Sequence, residues 1–215
     1  MSRRGLLAAF AAAVVLAGVG ARTWWVNANA TPKPDVVTHG MGEWIPLVGA
    51  YVTSGSAERT DGYSVRIGSA EVVSYNEYVS RYANDGSPAI EGLDIPSILV
   101  PSFEMRNDGS DGYLQIASMY LVPRRKNEFF LSDYRLLVKT EEKMREGGNP
   151  GLSVNIRKGT EYEIHPGYVH QGGTTMHGSQ EIQEAYLNPI EDEEFELILS
   201  NMPVRHIVRI SLASI

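Results

Sequence analysis

Three histidines stand close together late in the chain, His165, His170 and His177, in the stretch His165-Pro-Gly-Tyr-Val-His-Gln-Gly-Gly-Thr-Thr-Met-His177. Imidazole is the usual nitrogen ligand for zinc, copper or iron, and a loop carrying three of them can wrap a metal ion. No Asp or Glu lies between His165 and His177 to complete a ligand set. The competing reading is a Gly-rich loop between strands that merely tolerates polar imidazoles. Of the other histidines, His206 sits on the apolar side of an alternating run and reads as a core histidine bonded to backbone. His39 falls in a Pro/Gly-rich stretch and points to nothing by itself.

Other chemistries find less support. Gly159, Gly167 and His170 match the spacing of the second cupin motif, but Thr174 replaces its Asn and no upstream His-x-His pair exists. The acidic run Glu191-Asp192-Glu193-Glu194, with Glu196, lacks the staggered oxygens and glycine turn of a calcium loop and reads as a solvated strand edge. There is no Gly-x-Ser-x-Gly elbow, and neither Gly147-Gly148 nor Gly172-Gly173 leads into the Lys-Ser/Thr of a phosphate loop. Arg124-Arg125-Lys126 reads as a solvated turn. Among the eleven tyrosines, Tyr75, Tyr78 and Tyr82 recur at near-helical spacing. They form either a stripe for a partner or one packed on the domain's own sheet. No catalytic constellation emerges, and no cofactor is called for.

The elements that must hold these residues are mostly strands. Tyr63, Val65 and Ile67 alternate with Ser64 and Arg66, and the parity then shifts across Gly68-Ser69, which predicts a bulge. Leu99, Phe103 and Met105 share one side, as do Leu114, Ile116 and Tyr120. Further groups are Tyr134, Leu136 and Val138; Leu152, Val154 and Ile156; and Tyr162 with Ile164. The clearest run is Val204, His206, Val208, Ile210 and Leu212 against Arg205, Arg209 and Ser211. Such alternation predicts antiparallel strands with one wet face. Asn107-Asp108-Gly109-Ser110 predicts a hairpin or tight turn. Helices are predicted only over Asn76–Asn84 and Ser179–Leu187, each from its polar cap.

Charge and hydropathy bear on location. Arg3 and Arg4 precede the unbroken apolar run Gly5–Ala21, the pattern of an export leader whose positive end stays inside. Arg3, Arg4 and Arg22 are the only charges in residues 1–30, so the rest carries 16 of the 19 Lys and Arg against all 26 acids, a net of −10. That balance excludes nucleic acid as a partner. Cysteine is absent, which removes thiolate metal sites and cysteine nucleophiles. Ala28-Asn29-Ala30 has the small-x-small form of a signal-peptidase site. The length of the apolar run and the interfacial pair Trp24-Trp25 favour a retained anchor instead. The expected organisation is a signal peptide or signal-anchor helix over residues 1–30, a Pro/Gly tether over 31–43 and one domain over 44–215. The repeated short strands indicate an all-β, immunoglobulin-like antiparallel sandwich.

Phe103-Glu-Met-Arg-Asn-Asp-Gly-Ser110, Leu136-Leu-Val-Lys139, Lys158-Gly-Thr-Glu-Tyr-Glu-Ile164 and the stretch Phe195–Arg205 together resemble an uncharacterised family of exported Gram-positive bacterial proteins. Its members are domains of unknown function, with an immunoglobulin-like sandwich behind an N-terminal membrane helix. The resemblance implies a fold and a location and carries no site residues. The expectation is therefore an extracytoplasmic binding module, held at the cell membrane by its N-terminal helix or secreted after cleavage following Ala30. Its partner would be an envelope protein or polymer. The alternative is a metal-binding protein or metal-dependent enzyme built on the histidine loop.

Overall fold

A computed structural model describes residues 3–28, 33–53, 58–83, 95–109, 111–124, 129–133, 136–137, 140, 153–171, 190 and 194–212. The chain forms two compact units, Met1–Lys33 and Pro34–Ile215. In the first, helix α1 (Arg3–Ala28) takes up the apolar run Gly5–Ala21, whose Ala- and Leu-rich, proline-free sequence suits a helix. Val14, Val15, Leu16, Val19, Trp24, Trp25 and Val26 on α1 are each half or more exposed. Among the described residues, no helix is long and apolar enough to cross a membrane.

The second unit is mostly β. Its strands are β1 (Asp35–His39), β2 (Ile45–Pro46), β3 (Tyr63–Val73), β4 (Ile98–Asn107), β5 (Tyr120–Pro123), β6 (Phe129–Ser132), β7 (Thr160–Ile164), β8 (Tyr168–Gln171), β9 (Glu194–Ile198) and β10 (Val204–Ser211). Helix α2 (Tyr75–Tyr82) follows β3. The strands form one sheet in the order β1-β10-β9-β5-β6-β8-β4-β3-β2, with β7 also beside β4. Among the described residues every strand pairing is antiparallel except β1 with β10, which is parallel.

One continuous sheet stands where two separate sheets of an immunoglobulin-like sandwich were expected. The reason lies in β3 and β4. Their register shifts between Ile67 and Ala70, at the predicted bulge, which bends the pair. On the other edge of β4 the partner changes from β7, paired at Phe103–Asn107, to β8, paired at Leu99. The strands next to the two ends of the sheet then approach each other, β3 against β10, and the sheet is nearly barrel-shaped. The segment expected to be a tether stitches these ends together. Residues 35–39 pair with β10 as β1, Gly42 N–H donates to Ile67 carbonyl on β3 at 2.8 Å, and β2 then pairs with β3. Beyond β2, Tyr51 bridges Met202 in the β9–β10 connection. The folded unit thus begins before Trp44.

The inward side chains make the main core, including Val65, Ile67, Phe103, Met105, Ile164, Phe195, Leu197, Val208 and Ile210, each at most 1 % exposed. Each such large side chain contributes about 1.5–3 kcal/mol by leaving water. A second cluster lies between α2 and the strands, with Ile98, Val100 and Val169 under Tyr75, Tyr78 and Val79. Ile98-Leu99-Val100 is buried throughout because the two clusters take opposite faces of β4.

Three local expectations change. Leu136 and Leu137 are helical, not strand, and divide between the two clusters, which is why both are buried. Leu114 makes an isolated bridge to Val154, and Ile116 lies in a 3₁₀ turn at 116–118 before β5, so neither belongs to a strand with Tyr120. Of the hairpin or tight turn expected at Asn107-Asp108-Gly109, the hairpin is not formed, since the neighbours of β4 are β3, β7 and β8, while the Gly109 N–H donates to Asn107 Oδ1 at 3.0 Å in a tight turn that ends β4. The predicted helix over Ser179–Leu187 lies outside the described residues.

Candidate functional site

Helix α2 begins one residue earlier than predicted. Ser74 caps it, its hydroxyl accepting the Glu77 N–H at 3.2 Å, with Glu77 in the first turn and Arg81 in the last. Both charges complement the helix dipole. Residues 75, 78 and 82 share a face, and that face turns down onto the sheet. Tyr75 and Tyr78 are buried, 3 % and 1 % exposed, so of the proposed partner stripe only Tyr82 remains near the surface. The Tyr78 hydroxyl donates to the His165 carbonyl at 2.8 Å. Gly167 permits this approach, because a Cβ there would lie 2.9 Å from Leu136, 3.0 Å from Ile98 and 3.2 Å from the Tyr78 ring.

His165 and the tyrosines, unrelated in the sequence reading, therefore form one site. The Tyr82 ring stacks on the His165 imidazole with centroids 4.6 Å apart and planes 18° apart. The Tyr82 hydroxyl donates to Glu71 Oε1 at 2.8 Å, and Arg81 Nη1 donates to both Glu71 oxygens at 2.9 Å. On the other side, His165 Nε2 lies 3.3 Å from Glu163 Oε1, and the same oxygen accepts the Ser102 hydroxyl at 2.5 Å. A continuous polar chain thus runs from Arg81 and Glu71 through Tyr82 and His165 to Glu163 and Ser102.

Electrostatics follows from these contacts. Burial pushes the Glu71 carboxyl up, but the Tyr82 hydroxyl and the Arg81 guanidinium outweigh it and hold the group below its ordinary value. Tyr82 moves upward, first through burial and then because it donates to a carboxylate. The wet face of β3, β4 and β7 continues the site. Arg66 is paired with Glu104, and register places Glu163 across from Glu104 and Glu161 across from Arg106. Trp44 lies against both guanidinium groups, 4.6 Å from that of Arg66 and 4.8 Å from that of Arg106.

The order of groups decides the chemistry. Glu163 sits between Ser102 and His165, so the imidazole is not placed to take the serine proton, as a nucleophilic dyad requires. Of the three candidate ligands, only the His165 side chain is described. His170 lies in β8 with its side chain outside the description, and His177 lies outside it altogether. Among the described residues, no group of three or more His, Asp or Glu is disposed to hold a metal. Sequence reasoning missed Glu71, Arg81, Ser102 and Glu163, because four separate segments supply them and no local spacing links them.

The family model described as a domain of unknown function, DUF5028, matches residues 36–206. That stretch begins in β1 and ends in β10. No curated protein and no solved structure matches the chain.

Proposed function

The chain belongs to the DUF5028 family, and we propose that it is an extracytoplasmic binding module of a bacterial envelope, delivered by α1 and working without catalysis. The observation that carries this reading is the apolar side of α1. Val14, Val15, Leu16, Val19, Trp24 and Val26 are each half or more exposed. Leaving that much apolar surface in water is costly, and lipid is the natural cover behind the cationic Arg3-Arg4 end. The β unit supports a binding role through its wet β3–β4–β7 face and the Tyr82–His165 stack, which present paired charges and aromatic planes to an envelope protein or polymer.

Cell fractionation with intact-mass measurement of the N-terminus tests the reading. A membrane-bound chain with residues 1–30 present marks a retained anchor, and a released chain starting at Thr31 marks a cleaved leader. Either supports delivery across the membrane. A full-length chain found soluble inside the cell would overturn it.

A further inference from the structure

Two histidines 167 positions apart in the sequence meet at the seam of the sheet. His39 closes β1, and His206 lies in β10 opposite Val37, so parallel pairing puts both imidazoles on one face. His39 Nε2 lies 3.0 Å from His206 Nδ1, with ring centroids 5.3 Å apart. His206 is thus bonded to another imidazole and only half-buried, and His39 belongs to the folded unit rather than to a tether. The His39 side chain is 16 % exposed, and its Nδ1 is 3.6 Å from Glu43 Oε2. Glu43 is fixed in turn by the Gly40 N–H, which donates to its Oε1 at 3.0 Å. The backbone of His206 is held by Ser200 Oγ, which accepts its N–H at 3.0 Å, and by the Leu199 N–H, which donates to its carbonyl at 2.9 Å.

The proton inventory of this pair is limited. The Glu43 carboxylate favours a proton on His39 Nδ1, leaving Nε2 to accept from His206 Nδ1–H in the neutral state. One added proton fits, because the Nε2···Nδ1 contact can still keep one donor and one acceptor. A second does not, since it sets N–H against N–H and two like charges at hydrogen-bond distance. Charged groups on the surrounding elements are engaged elsewhere. Arg205 donates to the Tyr120 hydroxyl on β5 at 3.0 Å, and Arg209 faces Glu196 on β9 at 4.0 Å. Glu194 on β9 pairs with Arg124, and Arg66 on β3 pairs with Glu104. Asp35 lies exposed at the far end of β1.

β1 is a short strand at the margin of the sheet. It has five residues, four of them exposed, and it ends the strand order, so one ladder alone holds it. Such a strand belongs to the least stable part of a fold. We propose that His39 and His206 form an acid-sensitive latch, which keeps β1 on β10 while the pair carries at most one proton and frees β1 when both rings are protonated. Burial first, and the neighbouring His39 second, make His206 harder to protonate in the fold than its ordinary value. The latch is therefore complete above about pH 6.5, the ordinary histidine value, and is lost as pH falls through the lower value of His206.

Hydrogen–deuterium exchange on the full chain, corrected for the intrinsic pH dependence of exchange, tests this. Between about pH 7.5 and pH 5, opening of residues 35–39 should rise at least about tenfold relative to β3 and β4. His206→Leu should remove that pH response. No rise in the wild type, or the same rise in His206→Leu, overturns the proposal. Should His206→Leu not fold, NMR titration of the wild-type rings decides. Two separated steps, the lower coinciding with opening of β1, support the latch, whereas one shared step at the ordinary value overturns it.

Discussion

The Tyr63 hydroxyl is tied inside the domain at both of its functions. It donates to the Gly112 carbonyl at 3.0 Å and accepts the Ile156 N–H at 3.3 Å, beside Asn107, whose amide donates to the Ile156 carbonyl at 2.7 Å. Tyr63→Phe removes the acceptor of the buried Ile156 N–H, so unfolding free energy should fall by about 1–3 kcal/mol in a denaturant titration. A change of a few tenths would show that water replaces the hydroxyl there. At the candidate site, Tyr82→Phe takes one donor from the Glu71 carboxylate, and the Glu71 titration should move upward toward its ordinary value of 4.5. A depressed carboxyl adds stability above its ordinary value and loses it as pH falls through the folded value. The variant should therefore begin to lose that contribution at higher pH. NMR titration of Glu71 checks it, and an unchanged midpoint would assign the depression to Arg81 and His165 without Tyr82.

At the scale of elements, α2 and the β7–β8 connection depend on each other. Ser74→Ala removes the N-cap and should cost about 1 kcal/mol. Gly167→Ala places a methyl against Leu136, Ile98 and the Tyr78 ring, and about 1–3 kcal/mol of overpacking strain is expected. Because Tyr78 bonds the His165 carbonyl, the same variant should disturb the Tyr82–His165 stack, visible as changed ring shifts of both residues. Unaltered shifts with unchanged stability would contradict this packing. How much of this was legible depended on whether a local pattern reports the local environment. β3, the second half of β4 and β10 showed in the sequence because one face is dry and the other wet. Leu136-Leu137 misled, since adjacent leucines serve two different clusters and mimic part of a strand pattern. β1 was hidden for the opposite reason. Its residues are nearly all exposed, so Asp35–His39 has no periodicity and its flanking prolines and glycines read as a tether. The Glu163–Ser102 and His39–His206 contacts join residues 61 and 167 positions apart, set by register alone.

At the scale of the whole molecule, the chain carries a cationic, apolar N-terminal helix and an acidic, cysteine-free β unit whose sheet is nearly barrel-shaped. The charge asymmetry was readable at once, because composition is additive along a chain. Closure of the sheet was not, because it depends on a bulge, on a strand shared by two partners and on bridges between distant segments. The central claim is that the β unit faces outward from the membrane. Protease treatment of intact cells producing the full chain with a C-terminal tag tests it most directly. The account predicts that external protease removes the tag from intact cells, or that the tagged chain is found in the medium. A tag that stays inside and is digested only after lysis would contradict it.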